Sequence, residues 1–315
     1  MIMKKMTAIA FFTVLFAGTL LLTSCRTPEL EKEDLAAPAP KVTILYPQWK
    51  YKAVTFSYDD GTIEDRRLVA LFNKYDLKAT FNISSGRVGE IRPRFVKLSE
   101  MKKLYEGHEI ASHGKTHLPM AKQKVEKIHS EIREDKEVLG KVAGYPIRGF
   151  AYPYGQTSPL VREILAKEGM EYARTVGATR RFFLPKNFLL WHSTAHHNHN
   201  IAALADKYLA LPEKEMTLFY IWGHSYEFER QKNWKMMEDF CKKISGKKNI
   251  WYATNIEICD YVKASRKLTF THGKRAGKNN SSHALYLLVN GKKELLPPGR
   301  SYLFKSGKIV TFLEK

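Results

Sequence analysis

Cysteine and long apolar runs are both scarce in this chain of 315 residues. Its three cysteines are Cys25, Cys241 and Cys259, which excludes a fold stabilised by a network of disulfides. Cys241 and Cys259 lie in helical patterns, so a single disulfide and two buried free thiols are both open alternatives. After residue 24, no apolar run is long enough to cross a bilayer as a helix.

Acidic residues are few relative to basic ones, since 32 Asp and Glu face 52 Lys and Arg and leave a formal net charge of +20. Such an excess favours anionic surroundings, for example acidic glycans, phospholipid headgroups or nucleic acid. No nucleic-acid-binding motif accompanies the charge, so nucleic acid is not expected as a partner. With 44% hydrophobic residues, the chain can bury a sizeable core.

The N-terminus has the pattern of an export signal. Lys4 and Lys5 precede an uncharged apolar run that ends at Leu22, and two small residues follow before Cys25. This pattern predicts a signal peptide over residues 1–24. The Leu-Thr-Ser-Cys sequence at its end also resembles the bacterial lipobox, whose cysteine is lipidated and becomes the mature N-terminus; an ordinary cleaved signal with a chance cysteine is the alternative. We therefore expect the protein to be anchored in the cell envelope through Cys25, at the outer membrane if the host is diderm.

Changes in composition divide the remainder of the chain. Residues 25–49 are rich in proline, alanine and acids and show little periodicity, which predicts a flexible tether. Residues 50–265 alternate predicted strands with helices, the pattern of parallel βαβ units in an α/β domain. Residues 266–315 contain short strands separated by turn signals. A stretch of about 50 residues makes a poor core alone, so we expect a small β appendage packed on the main domain.

Two adjacent carboxylates follow the first predicted strand of the α/β domain, over residues 53–58. They belong to Asp59 and Asp60, and Gly61 then opens a turn. In parallel α/β folds, ligands and chemistry collect at the carboxyl ends of the strands. Two neighbouring acids would repel each other there unless a positive charge, such as a divalent metal ion, neutralises one of them. For this tripeptide alone, the alternative is a solvated Asp-Asp-Gly turn.

A histidine pair follows the third predicted strand, over residues 108–112. His113 and His117 are four residues apart, which on a helical turn would place both imidazoles on one face within reach of one ion. With one aspartate they make three protein ligands and leave positions open for water and substrate. That pattern is typical of a catalytic rather than a structural metal site.

Four stretches together resemble the ordered motifs of the polysaccharide deacetylases, the family 4 carbohydrate esterases with the NodB-homology domain. They are residues 57–61 (Ser-Tyr-Asp-Asp-Gly), 113–117 (His-Gly-Lys-Thr-His), 152–155 (Tyr-Pro-Tyr-Gly) and 221–224 (Ile-Trp-Gly-His). The resemblance covers roughly residues 50–264. It implies an α/β fold that is a distorted (β/α) barrel of about seven parallel strands, a bound divalent metal, and hydrolysis of N-acetyl or O-acetyl groups on a polysaccharide or oligosaccharide.

The resemblance also implies roles for the charged residues of these motifs. Asp59 would be the general base for a metal-activated water, and Asp60, His113 and His117 would bind the metal. Zinc is the expected ion, with Co²⁺ or Ni²⁺ as alternatives because ligand geometry discriminates weakly among them. His224 would be the general acid that protonates the leaving amine or alcohol, a task for a group that titrates near neutrality.

Three further residues would contact the substrate by the same resemblance. The backbone N–H of Tyr154 would stabilise the oxyanion, Ile221 would line the pocket for the acetyl methyl group, and Trp222 would lie beside them. The expected partners are an acetylated glycan and, through the lipid on Cys25, the membrane. The protein is expected to be a monomer.

The chain departs from the family pattern at one cationic position. The family usually carries arginine two residues before the proline of its third motif, where this chain has Ala151. Arg148 lies on the same predicted strand, but strand alternation should point it to the opposite face. Our hypothesis is that Arg174, on the next strand, replaces the missing arginine as the partner of Asp59; pairing of Arg174 with a surface acid is the alternative. The aspartate and tryptophan of the fourth motif also lack clear counterparts around residues 172–177.

Two segments leave more than one interpretation open. Residues 191–200 are dense in histidine. They form either a loop over the metal cleft, with Trp191 or a histidine contacting sugar, or a solvated loop, and a second metal site is a further alternative. The helix predicted over residues 125–139 is highly charged and should mostly face solvent. For the whole chain, the alternative to an enzyme is a glycan-binding protein that keeps the fold without turnover, which the missing arginine favours and the intact acids and histidines oppose.

Overall fold

The computed structural model describes residues 29–313, so the predicted signal peptide and Cys25 lie outside the described residues. The strands are β1 (Val42–Leu45), β2 (Lys52–Asp59), β3 (Ala79–Ile83), β4 (Glu109–Ser112), β5 (Gly149–Ala151), β6 (Tyr172–Ala178), β7 (Trp191–Ser193), β8 (Ala195–His196), β9 (Thr217–His224), β10 (Ile250–Tyr252), β11 (Leu268–Thr271), β12 (Ala276–Asn279), β13 (Leu285–Val289), β14 (Lys292–Leu296), β15 (Arg300–Lys305) and β16 (Lys308–Leu313). The helices are α1 (Lys32–Ala36), α2 (Asp65–Lys74), α3 (Leu98–Leu104), α4 (Val125–Ala143), α5 (Pro159–Lys167), α6 (Ile201–Leu209), α7 (Tyr226–Arg230), α8 (Trp234–Ile244) and α9 (Asn255–Ser265). Within the described range, no helix has the length and apolar character needed to span a membrane.

Parallel strands form the centre of the fold and close into a barrel. β2 pairs with β3 on one side and with β9 on the other, and β4, β5 and β6 follow β3 in order. β7 pairs with β6, β8 pairs with β9, and only Thr194 separates β7 from β8. The short segment from β7 to β8 therefore bridges β6 and β9 and closes the sheet. This confirms the predicted α/β fold, a distorted barrel with seven strand positions, to which β10 adds by pairing with the first half of β2.

The side chains of β2 show how the barrel delivers residues to its mouth. Phe56 and Tyr58 are buried and pack with Phe72 of α2 in the main hydrophobic core. Because successive side chains of a strand alternate between faces, Thr55 and Asp59 point into the barrel instead. The apolar residues of this strand therefore hold the outer helices, while its polar residues face the interior.

Buried polar side chains fill part of that interior. Thr55 donates a hydrogen bond to Asn255 Oδ1 (2.9 Å), and Asn255 donates one to the hydroxyl of Tyr220 on β9 (2.6 Å). Glu109 on β4 accepts a hydrogen bond from the hydroxyl of Tyr172 on β6 (2.8 Å). Because these groups are hydrogen-bonded to one another, they fix four strands and the N-terminus of α9 in position beneath the barrel mouth.

Antiparallel strands form the C-terminal appendage. β11, β12, β15 and β16 make a four-stranded sheet, and β1, β13 and β14 make a three-stranded one. β1 lies in the segment predicted to be a flexible tether, so that prediction is wrong for Val42–Leu45, whose β-branched side chains complete the smaller sheet by pairing with β13. Asp34, earlier in the same segment, accepts a hydrogen bond from the backbone N–H of Ser306 (2.7 Å).

The two cysteines of the domain are both buried free thiols. Cys241 lies on α8 and Cys259 on α9. Burial raises the pKa of both thiols, that of Cys259 to about 12, so neither is a thiolate at neutral pH.

Candidate active site

Asp59 and Asp60 lie at the mouth of the barrel, where β2 ends. Asp59 is the last residue of the strand and is buried, whereas Asp60 begins the following turn with φ +78° and is partly buried. Gly61 continues the turn with φ +65°, and a Cβ there would lie 2.6 Å from Ile83 Cδ1, so the turn requires glycine. Both aspartates line a cleft of about 380 Å³.

His113 and His117 bring two imidazoles to the same cleft. His113 directly follows β4, and the residues up to His117 form a turn rather than the predicted helical one, with φ +72° at Gly114 and +61° at His117. The ligand atoms of Asp60, His113 and His117 lie within 4.8 Å of one another. The structure thus brings together the three residues that the sequence analysis grouped, although by a different local conformation.

The hydrogen bonds of His113 determine which nitrogen faces the cleft. Its Nδ1 lies 2.7 Å from the carbonyl oxygen of Ala151, and since a carbonyl only accepts, Nδ1 carries the proton and Nε2 keeps its lone pair. Burial lowers the pKa of His113 and that of His117, the latter to about 4, so both imidazoles are neutral. Neutral imidazoles and a carboxylate are the donors that zinc and similar divalent ions bind. The three residues therefore fit a divalent metal ion.

Two buried acids of α4 support the turn over residues 113–117, which we call the histidine turn. Glu131 accepts hydrogen bonds from the backbone N–H and the hydroxyl of Thr116, both at 2.7 Å. Asp135 accepts one from the backbone N–H of Ser85 (2.7 Å) and another from the hydroxyl of Ser112. Both acids are fully buried, so the prediction that this helix mostly faces solvent is wrong for this side of it. Backbone groups of irregular loops need such acceptors when they are buried, and a charge pattern alone does not reveal them.

Arg174 on β6 contacts Asp59. Its Nη2 donates to Asp59 Oδ2, and Asn82 Nδ2 donates to Asp59 Oδ1 at 2.8 Å. The guanidinium is fully buried, and its Cζ lies 4.3 Å from the centroid of the Trp222 ring. Arg174 pairs in register with Ala151 of β5, so the neighbouring strand supplies a cation at the level where arginine is missing. Burial alone would raise the pKa of Asp59, but the charge of Arg174 is the main factor that lowers it to about 2 and keeps the carboxylate ionised.

Arg174→Met should lower kcat roughly 10–100-fold in metal-loaded protein, because Asp59 loses the group that orients it. The change also leaves a buried carboxylate without its partner, which destabilises the fold by about 3–5 kcal/mol. Kinetics are therefore measured below the unfolding temperature of each variant. Arg174→Lys, which keeps the charge, should restore part of kcat.

Arg148→Met is the matched control for this prediction, since Arg148 contacts Asp260 of α9 away from the cleft. It should leave kcat and KM unchanged. A folded Arg174→Met protein with native kcat would contradict a positioning role for Arg174.

His224 ends β9 and lines the same cleft. Its Nδ1 lies 3.6 Å from Oε1 of Glu227. Burial alone would lower the pKa of His224, but Glu227, with help from Asp59 and Asp60, raises it above the ordinary value. His224 therefore keeps its proton at higher pH than an exposed histidine would.

Glu227 on α7 is a candidate that the sequence analysis missed. Its Oε2 lies 3.1 Å from His196 Nε2 and 3.0 Å from His197 Nε2. These three residues lie close enough to hold an ion, but His196 Nδ1 accepts the backbone N–H of Asn198 (3.2 Å), so its Nε2 carries the proton and has no lone pair for a metal. We therefore interpret the group as a cluster of charge contacts rather than as a second metal site. Burial would raise the pKa of Glu227, but the neighbouring His196, His197 and His224 hold it well below its usual range.

Comparison with known proteins relates part of this domain to a family. The sequence profile of the polysaccharide deacetylase family matches residues 48–173, which include the acid pair, the histidine turn and Tyr154. Over these residues the chain is similar to the polysaccharide deacetylase family. No match was found among curated proteins.

Many solved structures resemble the chain, and three of them illustrate the likeness. A provisionally assigned polysaccharide deacetylase from Mycobacterium smegmatis is 16% identical, with 72% of this chain and 95% of that one covered and a TM-score of 0.53. The family 4 carbohydrate esterase from Streptomyces lividans, solved with acetate, is 16% identical, with 65% and 92% covered and a TM-score of 0.44. The Streptococcus pyogenes deacetylase PplD, also solved with acetate, is 21% identical, with 43% of this chain and 61% of that one covered and a TM-score of 0.41. At this identity, the Mycobacterium smegmatis structure supports the fold alone.

Two of the three residues predicted to contact substrate line the deacetylase cleft. Trp222 and Tyr154 do so, and the Tyr154 ring centroid lies 4.6 Å from that of His117. Ile221 is fully buried in the hydrophobic core, so the prediction that it lines the acetyl pocket is wrong. Since strand side chains alternate, the residue that shares the cleft face with His224 is Trp222, two positions earlier.

The first part of the histidine-rich stretch 191–200 forms the strands β7 and β8 rather than a loop. Trp191 begins β7, is buried, and packs against Tyr172, Phe188 and Tyr220. The interpretation of Trp191 as a sugar contact is therefore wrong. The start of this stretch instead closes the barrel.

Proposed function

We propose that the deacetylase domain is a metal-dependent hydrolase that removes N-acetyl or O-acetyl groups from a polysaccharide or oligosaccharide. The observation that carries this proposal is the meeting of three groups in one cleft: the donor set of Asp60, His113 and His117, the ionised Asp59, and His224 with its raised pKa. Perturbed titratable groups that surround a metal donor set in a concave site are typical of catalysis.

Asp60, His113 and His117 would hold the ion, with zinc as the first expectation and cobalt or nickel as alternatives. When bound, such an ion is a Lewis acid that polarises a carbonyl group and lowers the pKa of a water ligand toward ~7. The buried Nδ1–H of His113 and the hydrogen bonds that the turn at Thr116 donates to Glu131 of α4 orient the donors before binding.

Asp59 would accept a proton from the attacking water. Arg174 and Asn82 hold the carboxylate in one orientation, which leaves its remaining lone pairs with a fixed direction. A pKa of about 2 keeps Asp59 ionised throughout the neutral range but makes it a weak base. Asp59 would therefore be in its basic form wherever the neighbouring donor set holds an ion.

His224 would donate a proton to the leaving nitrogen or oxygen. An amine is a poor leaving group until it is protonated, so a histidine whose pKa is raised above its ordinary value suits this task. Tyr154 lies in a tight turn with φ +55° beside His117, where its backbone N–H would stabilise negative charge on the carbonyl oxygen.

Glu227→Gln should move the basic limb of the pH–rate profile to lower pH. His224 must be protonated to act as an acid, so activity is lost as the pH rises through its pKa. Glu227 raises that pKa, and removal of its charge lowers it again. The rate should therefore fall more at pH 8 than at pH 6, which a full pH–rate series measures.

Glu229→Gln is the matched control, because Glu229 is an exposed acid on the same helix. It should leave the basic limb in place. His224→Ala should lower the rate of acetamide hydrolysis roughly 10²–10⁴-fold, and it should lower the rate less on an ester with a good leaving group. A basic limb that does not move in Glu227→Gln would exclude its action on His224.

Acetate release from defined oligosaccharides tests the proposed function. Zinc-loaded protein should release acetate from N-acetylated chito-oligosaccharides or O-acetylated xylo-oligosaccharides, and the ratio of the two rates separates amide from ester hydrolysis. The Asp59→Asn/His224→Ala double variant is the negative control. If the folded, zinc-loaded protein releases acetate from neither class, glycan binding without turnover becomes the better account.

We also propose that the protein is exported and lipid-anchored through Cys25, which rests on the N-terminal sequence pattern. Cys25→Ser should accumulate as an unprocessed precursor or as soluble protein, as measured by membrane fractionation and the mass of the N-terminal peptide. A variant that remains membrane-bound at the mature size would show that the anchor lies elsewhere.

A further inference from the structure

Three arginines lie at or beside one wall of the cleft: Arg87 lines it, and Arg94 and Arg230 lie next to the ring of Tyr226, which also lines it. Arg94 Cζ lies 5.7 Å and Arg230 Cζ 5.5 Å from the centroid of the Tyr226 ring. Arg87 and Tyr226 both line the cleft. Arg87 and Arg94 come from the segment between β3 and α3, and Arg230 ends α7. We refer to Arg87, Arg94 and Arg230 as the arginine wall.

The acids beside the arginine wall are already engaged. Arg230 lies 3.5 Å from Glu227, whose carboxylate is shared by three histidines. Arg87 lies 3.4 Å from Asp60, which belongs to the metal donor set. Arg94 is exposed and forms no ion pair within residues 29–313. The wall therefore carries more positive charge than its neighbours neutralise, and an anion that enters the cleft would be attracted to it.

The position of the arginine wall beside the cleft distinguishes it from arginines scattered over the surface. Two of the guanidiniums lie beside a ring that itself lines the cleft, so a ligand that extends from the cleft past the Tyr226 ring would meet them. Guanidinium groups bind carboxylates through paired N–H donors, and an aromatic ring offers an apolar face to a sugar. Charge and ring together therefore match a sugar that bears a carboxylate.

We propose that the arginine wall binds a carboxylate of the glycan, so that the substrate is an acidic acetylated glycan rather than a neutral one. This inference rests on the proposed function, since it places the charged sugar next to the acetylated sugar in the same cleft. The excess of basic over acidic residues in the chain would draw the same class of polymer to the protein from a distance.

Binding measured without turnover tests this inference. Zinc-loaded Asp59→Asn protein is titrated by calorimetry with a hexasaccharide that alternates N-acetylglucosamine and glucuronic acid. The second titrant is the same hexasaccharide with its carboxyl groups reduced to alcohols. The acidic form should bind roughly tenfold more tightly at low salt, and the difference should shrink as the ionic strength rises. When Arg94→Gln and Arg230→Gln are both introduced into the Asp59→Asn protein, the difference in affinity between the two oligosaccharides should disappear. The affinity for the reduced form should stay unchanged.

Arg92→Gln is the matched control, because Arg92 is an exposed arginine of the same segment that, unlike Arg94 and Arg230, is not among the described residues in contact with the Tyr226 ring. It should keep the full preference. Equal affinity for the two oligosaccharides, including no measurable binding of either, would overturn the inference. The inference would also be overturned if Arg92→Gln reduced the preference for the acidic form as much as the Arg94→Gln/Arg230→Gln double variant does.

Acetate release by the native, zinc-loaded protein is measured in parallel on both oligosaccharides, so that failure of the inference and failure of the proposed function give different results. Release without a preference for the acidic form would refute the role of the arginine wall alone. Acid-selective binding with no release from any acetylated substrate would refute the proposed function alone.

Discussion

Asp59→Asn should reduce acetate release by about 10²–10⁴-fold while the protein keeps its metal. The amide cannot accept a proton from water, whereas Asp60, His113 and His117 are unchanged. The loss should appear in kcat with little change in KM, because the interaction removed acts on the reacting water rather than on bound substrate. Steady-state kinetics at equal zinc content measure it.

The same change breaks a buried ion pair, so its effect on stability must be separated from its effect on chemistry. Arg174 is fully buried, and a buried charge that loses its partner costs about 3–5 kcal/mol. Thermal unfolding of each variant therefore sets the assay temperature. Asp239→Asn is the matched control, since Asp239 forms an exposed pair with Lys235 and should affect neither property. Near-native turnover by folded, zinc-loaded Asp59→Asn would remove Asp59 from the base role.

His117→Ala should remove both the metal and the activity. Loss of an outer-shell partner of a metal ligand typically costs 10–100-fold, so loss of one of three direct ligands should cost more than about 100-fold in zinc affinity. His117 is partly exposed, so its truncation disturbs the fold less than truncation of the buried His113. Zinc content after gel filtration and acetate release at saturating zinc measure the two effects.

His129→Ala is the control for this variant, because His129 pairs with Glu168 (2.6 Å) away from the cleft. It should retain one zinc per chain and native activity. Full zinc occupancy in His117→Ala would show that this histidine is not a ligand.

The residues that could be grouped from the sequence are those that follow strands. Asp59 and His113 stand at the ends of predicted parallel strands, and the carboxyl ends of such strands meet at one edge of the sheet. The place of Arg174 beside Asp59 follows from the same rule, because chain order makes β6 the neighbour of β5 and register then places Arg174 beside Ala151. The role proposed for Arg174 in catalysis stays a prediction until the Arg174→Met kinetics are measured.

The predictions from the sequence differ from the structure where pairing or packing between residues that are distant in sequence determines the conformation. Ile221 was assigned to the cleft although it is out of phase with His224 on the same strand, and alternation alone would have selected Trp222. Trp191 is buried because β7 and β8 close the barrel, which requires pairing with two strands that are distant in sequence. Glu227 was missed because three histidines converge on it only in the fold, and its sole local signal is a spacing of three residues from His224.

The missing arginine is the one feature of the sequence that favours a glycan-binding protein without turnover. Arg174 occupies the corresponding level of the barrel and contacts the same carboxylate that such an arginine would contact. A buried cation is therefore present beside Asp59, and measured acetate release decides between binding and turnover.

Removal and return of zinc tests the central claim, that acetyl hydrolysis depends on an ion held by Asp60, His113 and His117. Native protein is stripped with a chelator, checked for folding by circular dichroism, and assayed on the oligosaccharide from which it releases acetate fastest. The account predicts that release stops on stripping, returns at one zinc per chain, and does not return in His117→Ala. Undiminished release by the folded, metal-free protein would contradict it.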